Sequence, residues 1–157
     1  MPRRDGQLAG VIALGLLQAI LYLSVGLAAG VRFQAGPGGV VVLLLLAVLI
    51  SIGFGAIGAF LALRTGSGEA VQALFPLLFV TLFLSSMNMP RNLIEIDWFR
   101  TVATINPVSY LIEGMRSLII IGWDPEALAL GFGLGLAIAA AALVAASFAL
   151  KGRLARA

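Results

Sequence analysis

Four long apolar runs, none of which contains a charged residue, constrain this chain more than any other feature. They cover residues 8–30, 40–63, 71–89 and 127–150. A helix rises about 1.5 Å per residue, so it needs about 20 apolar residues to cross a bilayer. The sequence therefore predicts an all-α, polytopic membrane protein whose four transmembrane helices form a single transmembrane domain over residues 1–157.

The composition excludes a soluble enzyme. Hydrophobic residues make up 61% of the chain and charged residues 11%, whereas soluble domains carry roughly 45–50% and about 25%. The chain has no His and no Cys, which removes Ser-His-Asp triads, Cys nucleophiles and thiolate or imidazole metal sites. An intramembrane acyl- or glycosyltransferase would depend on Glu95, Asp97 or Glu113, and these acids are few and interfacial. We therefore predict no catalytic residue, no metal site and no cofactor in this chain.

The basic residues predict how the spans are oriented. With the N-terminus inside, the inner segments hold Arg3, Arg4, Arg64, Lys151, Arg153 and Arg156, and the outer segments hold Arg32, Arg91, Arg100 and Arg116. Because cytoplasmic loops carry an excess of Lys and Arg, both termini are predicted to be cytoplasmic. The net charge of +3 reflects these topology signals, so no nucleic-acid partner is expected. The first run exceeds a signal-peptide core of about 7–15 residues, which favours a retained first helix over a cleaved signal.

The segment between the third and fourth runs is too polar to span a membrane and too apolar for a free loop. Glu113 and Arg116 each oppose insertion by roughly 2.5–3.5 kcal/mol. Asn106 is a good helix N-cap and Pro107 a good first helical residue, and apolar residues follow them at helical spacing. The sequence therefore predicts a hairpin of two short helices, re-entrant or interfacial, on the outer side of the membrane. The two helices are predicted over 92–105 and 107–121.

Two groups of polar residues are candidates for function. Glu113 and Arg116 share one face of the second short helix, where we interpret them as a brace or gate. The alternative is a solvated ion pair worth roughly 0–1 kcal/mol. Ser85, Ser86 and Asn88 lie near the outer end of the third run and are candidates to line a cavity, although hydroxyls often bond to the backbone of their own helix.

Glycine and proline predict how the spans pack and bend. The Gly-x-Gly-x-x-Gly pattern that starts at Gly53 lies inside an apolar run rather than between a strand and a helix, so it does not indicate a nucleotide site. Small residues in a span instead predict close helix packing, and Gly131 and Gly135 form a further pair of this kind. Pro76 predicts a kink near the inner end of the third span.

Three segments resemble a known family. They are Leu63 to Pro76, Ser85 to Pro90 and, above all, Ile105 to Arg116, whose core reads Asn-Pro-x-x-Tyr-x-x-Glu-Gly-x-Arg. These segments resemble the type 2 ABC exporter permeases, the membrane subunits of bacterial drug, lipid and polysaccharide exporters. Family members typically have six spans, with two short re-entrant helices on the outer side between the fifth and sixth spans. The likeness runs along nearly the whole chain.

The resemblance implies a function and a set of partners. The chain would be an export subunit in the bacterial inner membrane, with ATP bound and hydrolysed by a partner ATPase subunit, and it would pair with a second permease copy as a homodimer. The substrate would be an amphiphile of the drug, lipid or glycan type. The motif residues that this assigns to the hairpin or gate are Asn106, Pro107, Tyr110, Glu113 and Arg116.

The start of the chain departs from the family pattern. The four runs correspond to the third through sixth spans, so we interpret the chain as a truncated reading frame, a chain with a misplaced start codon or half of a split permease. Arg3 and Arg4 would then be a remnant of the segment that couples to the ATPase. The alternative function is an independent small channel or secondary transporter without an ATPase, which is disfavoured because no charge inside a span marks an ion path.

Overall fold

Two helices of 30 residues dominate the fold. A computed structural model describes the backbone of residues 3–154 and the side chains of residues 14, 15 and 17–153. The long helices are α2 (Gly36–Thr65) and α7 (Pro125–Leu154). The other α-helices of the described chain are α1 (Arg3–Ala28), α3 (Gly68–Gln72), α4 (Leu74–Phe83), α5 (Asp97–Ile105) and α6 (Pro107–Ile120), and a 3₁₀ turn covers Arg91–Leu93. The all-α prediction is confirmed for this part of the chain.

The ends of the long helices are set by local residues. In α2 a proline occupies the first turn, and Gly66 ends the helix in the left-handed region with φ 71°, where glycine carries no steric cost. Asp124 caps α7, because its Oδ1 accepts hydrogen bonds from the backbone N–H groups of Glu126 and Ala127 at 3.1 and 3.0 Å. The last helix therefore begins at Pro125, directly after this cap.

The long helices α2 and α7 lie side by side and run in the same direction. A Cβ added to Gly53 would lie 3.3 Å from Cγ2 of Ile138, and farther along Nη2 of Arg153 approaches Gly66. Because the residue numbers rise together along both helices, the two are parallel. Their first residues lie at one end of the molecule and their basic last turns at the other, which is the arrangement expected of two spans that cross in the same direction.

Helix α6 packs against the first half of α2. A Cβ added to Gly114 would lie 3.3 Å from Cδ2 of Leu46, and one added to Gly39 would lie 3.8 Å from Cδ2 of Leu118. The helix α6 therefore runs antiparallel to α2. Leu46 and Leu118 are completely buried in this contact. Since α2 rises about 1.5 Å per residue from Gly36, Leu46 lies about 15 Å along it, so α6 reaches well down the side of the long helix.

The connection between α1 and α2 is held by the end of α6. The backbone N–H groups of Gln34 and Ala35 donate hydrogen bonds to the carbonyls of Ile119 and Leu118, at 3.2 and 3.1 Å. Gly122 follows α6 with φ 109°, a conformation that favours glycine. The last turn of α6 therefore fixes both the start of α2 and the turn that leads to α7.

The third predicted span, 71–89, is not one continuous helix. It is interrupted at Ala73, between α3 and α4, and its helical part ends at Phe83. The interruption lies one turn before Pro76, as the predicted kink requires, because the proline ring clashes with the carbonyl four residues earlier and leaves it without an N–H partner. After Phe83 the chain enters turns through Ser86, where side chains and backbone bond to α6 rather than to a further helical turn.

Two described helices are long and apolar enough to cross a membrane, where the sequence predicts four such helices. These are Gly36–Thr65 and Pro125–Arg153. The first predicted span lies within α1, of which the segment Leu17–Ala28 has described side chains, and the third corresponds to the shorter apolar segment Gly68–Phe83. Many large apolar side chains of α1, α2, α4 and α7 are exposed on the surface of the chain, as expected for helices that face lipid or another subunit.

Candidate functional site

The turn between α5 and α6 is fastened to α4 by Asn106. Its Oδ1 accepts a hydrogen bond from the backbone N–H of Val108 at 2.9 Å, which is the N-cap of α6, and its Nδ2 donates to the carbonyl of Thr81 at 2.6 Å. The predicted N-cap is confirmed. Pro107 occupies the first turn of α6, where its missing N–H costs nothing. One amide side chain therefore starts a helix and binds that helix to its neighbour.

Two serines extend the attachment between the end of α4 and α6. The backbone N–H of Ser86 donates to Oγ of Ser109 at 3.0 Å, and Oγ of Ser86 donates to the carbonyl of Ser109 at 3.2 Å. Both serines are completely buried. Ser85 is also buried, and its hydroxyl donates to the carbonyl of Leu82 within the same turn. These hydroxyls satisfy backbone groups that the end of α4 leaves without helical partners.

Glu113 forms a bidentate ion pair with Arg91. Nε of Arg91 lies 2.8 and 3.0 Å from the two carboxylate oxygens, and Nη2 lies 2.6 Å from Oε2. The guanidinium also lies over the ring of Tyr110, with Cζ 4.0 Å from the ring centroid. The hydrogen bonds to Glu113 raise the pKa of Arg91 above its ordinary value, against the opposing effect of burial. Because the pKa is raised in the fold, the charged form of Arg91 is stabilised there, and this contribution is complete at every pH below the ordinary pKa of arginine. Arg91 therefore keeps its charge at neutral pH.

Arg116 does not pair with Glu113. Of the two interpretations of these residues, a brace or gate and a solvated ion pair, the ion pair does not form in the described chain, because Nη2 of Arg116 donates instead to the carbonyls of Ser86 and Met87, at 2.6 and 2.8 Å. Its Nη1 is buried without a hydrogen-bond partner in the described chain. The guanidinium of Arg116 donates to carbonyls just beyond the end of α4. It stabilises this turn in the way that a cation stabilises the C-terminus of a helix. We give the name hairpin clasp to this set of polar contacts. On α6 and its N-cap it comprises Asn106, Ser109, Glu113 and Arg116, and their partners are Thr81, Ser86, Met87 and Arg91.

A cavity of about 410 Å³ opens beside the hairpin clasp. Its charged lining residues are Arg91, Arg100, Glu113, Arg116 and Asp124. Three guanidinium groups against two carboxylates give it a small positive excess, which suits hydrogen bonding to a polar or anionic group. No group of three acidic residues that could hold a metal ion occurs among the residues whose side chains the structure describes, 14, 15 and 17–153.

The structure brings some of the sequence-predicted residues together and leaves others apart. Tyr110 lies on the clasp side of α6, where its hydroxyl donates to the carbonyl of Thr104 at 2.9 Å. Asn88 is exposed, and neither it nor the two buried serines lines the cavity beside the clasp. The backbone of Arg3 and Arg4 lies in α1, and their side chains lie outside the described residues.

Sequence reasoning missed several members of the hairpin clasp, among them Arg91 and Thr81. Arg91 lies 22 residues before Glu113, so local helical spacing does not connect the two. Thr81 contributes only its carbonyl, because its own hydroxyl donates to the carbonyl of Leu77 at 2.8 Å. A backbone acceptor leaves no signal in the residue type. The one available signal was Arg91 itself, a charge placed directly after the Met-Pro pair that ends the third apolar run.

Comparison with known proteins identifies the family. The family model described as ABC-2 type transporter matches residues 6–120, which include most of α1, all of α2 to α6 and the hairpin clasp. No curated protein and no solved structure matched the chain. The matched region covers well over half of the sequence, and it contains the motif from Asn106 to Arg116 on which the resemblance rests. The chain therefore belongs to the ABC-2 type transporter family.

Proposed function

We propose that this chain is a membrane subunit of an ATP-driven exporter that moves an amphiphile of the drug, lipid or glycan type out of the cytoplasm. The observation that carries the proposal is the hairpin clasp, which joins a short helix pair to the third apolar segment inside a chain of the ABC-2 family. Family membership implies an ATPase partner in general, and no charged residue lies inside the four apolar runs to mark an ion path.

The proposed topology has four spans, with both termini in the cytoplasm of a bacterial cell. The parallel arrangement of α2 and α7 supports it, because two spans separated by one further span and a hairpin on the outer side must cross in the same direction. The basic last turns, with Arg64 in α2 and with Lys151 and Arg153 in α7, lie together at the end assigned to the cytoplasm. In this arrangement α1 and the broken segment α3–α4 supply the other two spans.

In the proposed mechanism the partner ATPase supplies the energy and the hairpin clasp transmits movement. Closure of the ATPase would rock two copies of the permease, and the substrate would leave past the outer ends of the spans. The clasp couples α6 to the end of α4, because Asn106 and Arg116 bind backbone carbonyls at two separate points of that segment. The hairpin is then a gate whose position depends on the third span.

Purification with the partner tests this function. The tagged chain, expressed in its host and extracted in mild detergent, is expected to retain a nucleotide-binding subunit in fixed stoichiometry and to show ATP hydrolysis. Glu113→Gln should lower the ATP-driven transport of the complex in liposomes, whereas Asp97→Asn, which removes an exposed pair with Arg100, should not. A chain that purifies alone and conducts ions in a planar bilayer would instead support the channel alternative.

A further inference from the structure

A second cavity lies at the opposite end of the molecule from the hairpin clasp, between the last turns of α2 and α7. Its volume is about 610 Å³. Phe60 and Phe148 contribute to an apolar wall, and Arg64 and Arg153 contribute to a basic rim. Phe60 lies four residues before Arg64 and Phe148 lies five residues before Arg153, so the apolar part lies nearer the middle of both helices and the basic part lies at their ends.

The two arginines of this rim have no acidic partner in the described part of the chain. Neither Arg64 nor Arg153 takes part in any ion pair or side-chain hydrogen bond found there, and no acidic residue lines the cavity. Two guanidinium groups at one rim repel each other, and an anion placed between them removes that repulsion. The charge of the cavity therefore selects for an anionic ligand.

Gly66 gives Arg153 access to the end of α2. A Cβ at this position would lie 3.1 Å from Nη2 of Arg153, and the φ of 71° at Gly66 also disfavours any other residue. The arginine lies at the C-terminal end of α2, where a cation is favoured by the helix dipole. The helix dipoles favour both arginines, since Arg64 lies in the last turn of α2 and Arg153 in the last turn of α7, but they do not account for an apolar wall at the same cavity.

We propose that this cavity binds an acidic phospholipid of the inner leaflet, with its phosphate between Arg64 and Arg153 and an acyl chain along the wall with Phe60 and Phe148. A phospholipid is an anion joined to a hydrocarbon chain, and the cavity presents a basic rim joined to an apolar wall in the same order along the membrane normal. Basic pockets between spans on the cytoplasmic side suit anionic headgroups. The proposal rests on the orientation given above, and it does not depend on an ATPase or on a transported substrate.

Lipid binding to the purified protein tests this inference. Native mass spectrometry in neutral detergent compares phosphatidylglycerol with phosphatidylcholine, and a separate arm adds inorganic phosphate alone. Phosphatidylglycerol is expected to bind in preference to phosphatidylcholine, and Arg64→Gln and Arg153→Gln should each weaken its binding roughly fivefold, as expected for one basic residue at a membrane surface. Both arginines are exposed, so these variants are expected to fold, and the elution profile of the protein checks this.

Lys151 provides a matched control. It lies in the same last turn of α7 as Arg153 but does not line the cavity, so Lys151→Gln removes an equal charge and should leave binding unchanged. A loss with Lys151→Gln equal to that with Arg153→Gln would overturn the site in favour of diffuse attraction. Equal binding of the two lipids would overturn it as well. If inorganic phosphate competed as effectively as the lipid, the cavity would be a simple anion site, and the lipid assignment would be overturned.

Discussion

At the scale of single residues, the ion pair of Arg91 with Glu113 is the contact of the hairpin clasp that joins two opposite charges. Its side chains are 23% and 20% exposed, whereas the Arg100–Asp97 pair is 47% and 94% exposed. A partly buried bidentate pair lies between the exposed and fully buried extremes, so Glu113→Gln should cost about 1–3 kcal/mol of stability. The thermal unfolding midpoint in detergent measures this loss.

The matched control for this pair is Asp97→Asn, which should leave the unfolding midpoint unchanged because water already surrounds its carboxylate. The double variant Arg91→Gln with Glu113→Gln should lose less than the sum of the single losses, since neither partner is then left charged and alone. Strictly additive losses would contradict a direct interaction between the two side chains.

Asn106 gives a prediction in which one side chain performs two separable roles. Asn106→Ala removes both the N-cap of α6 and the bond to the carbonyl of Thr81, and should cost about 1–3 kcal/mol. Asn106→Ser retains an N-cap oxygen but loses the bond to Thr81, so its unfolding midpoint should lie between those of the wild type and of Asn106→Ala. Equal losses in the two variants would show that the cap contributes nothing.

For single residues, the sequence predicted contacts between neighbours along the chain and missed contacts between residues far apart in sequence. Asn106, Pro107 and the helical spacing after them were sufficient to predict α6, because capping involves neighbouring residues. The partner of Glu113 depends on how the chain returns after Phe83, and local spacing carries no information about that return. Local spacing therefore offered Arg116, three residues after Glu113, as an alternative partner, and the fold does not form that pair.

At the scale of helices, the contact between α6 and α7 depends on two facing glycines. A Cβ on Gly131 would lie 3.2 Å from the carbonyl oxygen of Tyr110 and 3.5 Å from Cα of Gly114, whereas nothing lies within 4 Å of Gly133. Gly131→Val should therefore push α6 away from α7 and cost about 1–3 kcal/mol through overpacking. The same substitution at Gly133, on the same helix, should leave the unfolding midpoint unchanged or raise it. Equal destabilisation by both variants would contradict the close approach.

The sequence predicted the uninterrupted helices well and the interrupted one poorly. Residues 71–89 are apolar throughout, and an apolar run has the same composition whether it is helical or turns back on itself. Pro76 did indicate an interruption nearby, which the structure places at Ala73. The end of α4 at Phe83 coincides with the hydrogen bonds that Ser109 and Arg116 of α6 make with the turn after it. These are tertiary contacts that hydropathy does not record.

At the scale of the whole molecule, the proposed topology predicts which residues are accessible from each side. The chain has no native Cys, so single cysteines can be introduced without background labelling. With a membrane-impermeant maleimide added to intact spheroplasts, Asp97→Cys should react, and Glu69→Cys should react only after permeabilisation. Labelling of both from outside would contradict four spans with a cytoplasmic turn after α2.

The attachment of α6 to α4 has a consequence for mutational robustness. Asn106 and Arg116 recognise the main chain at Thr81, Ser86 and Met87, not their side chains. The recognised segment can therefore change its side chains freely at Thr81 and Met87, while the two recognising residues cannot be exchanged without loss. A saturation library scored for function should show this asymmetry, with Thr81→Val tolerated and every replacement of Arg116 depleted. A protein built in this way can vary the surface of its third apolar segment, and with it the molecules that this surface contacts, without altering the hydrogen bonds that hold the segment to α6.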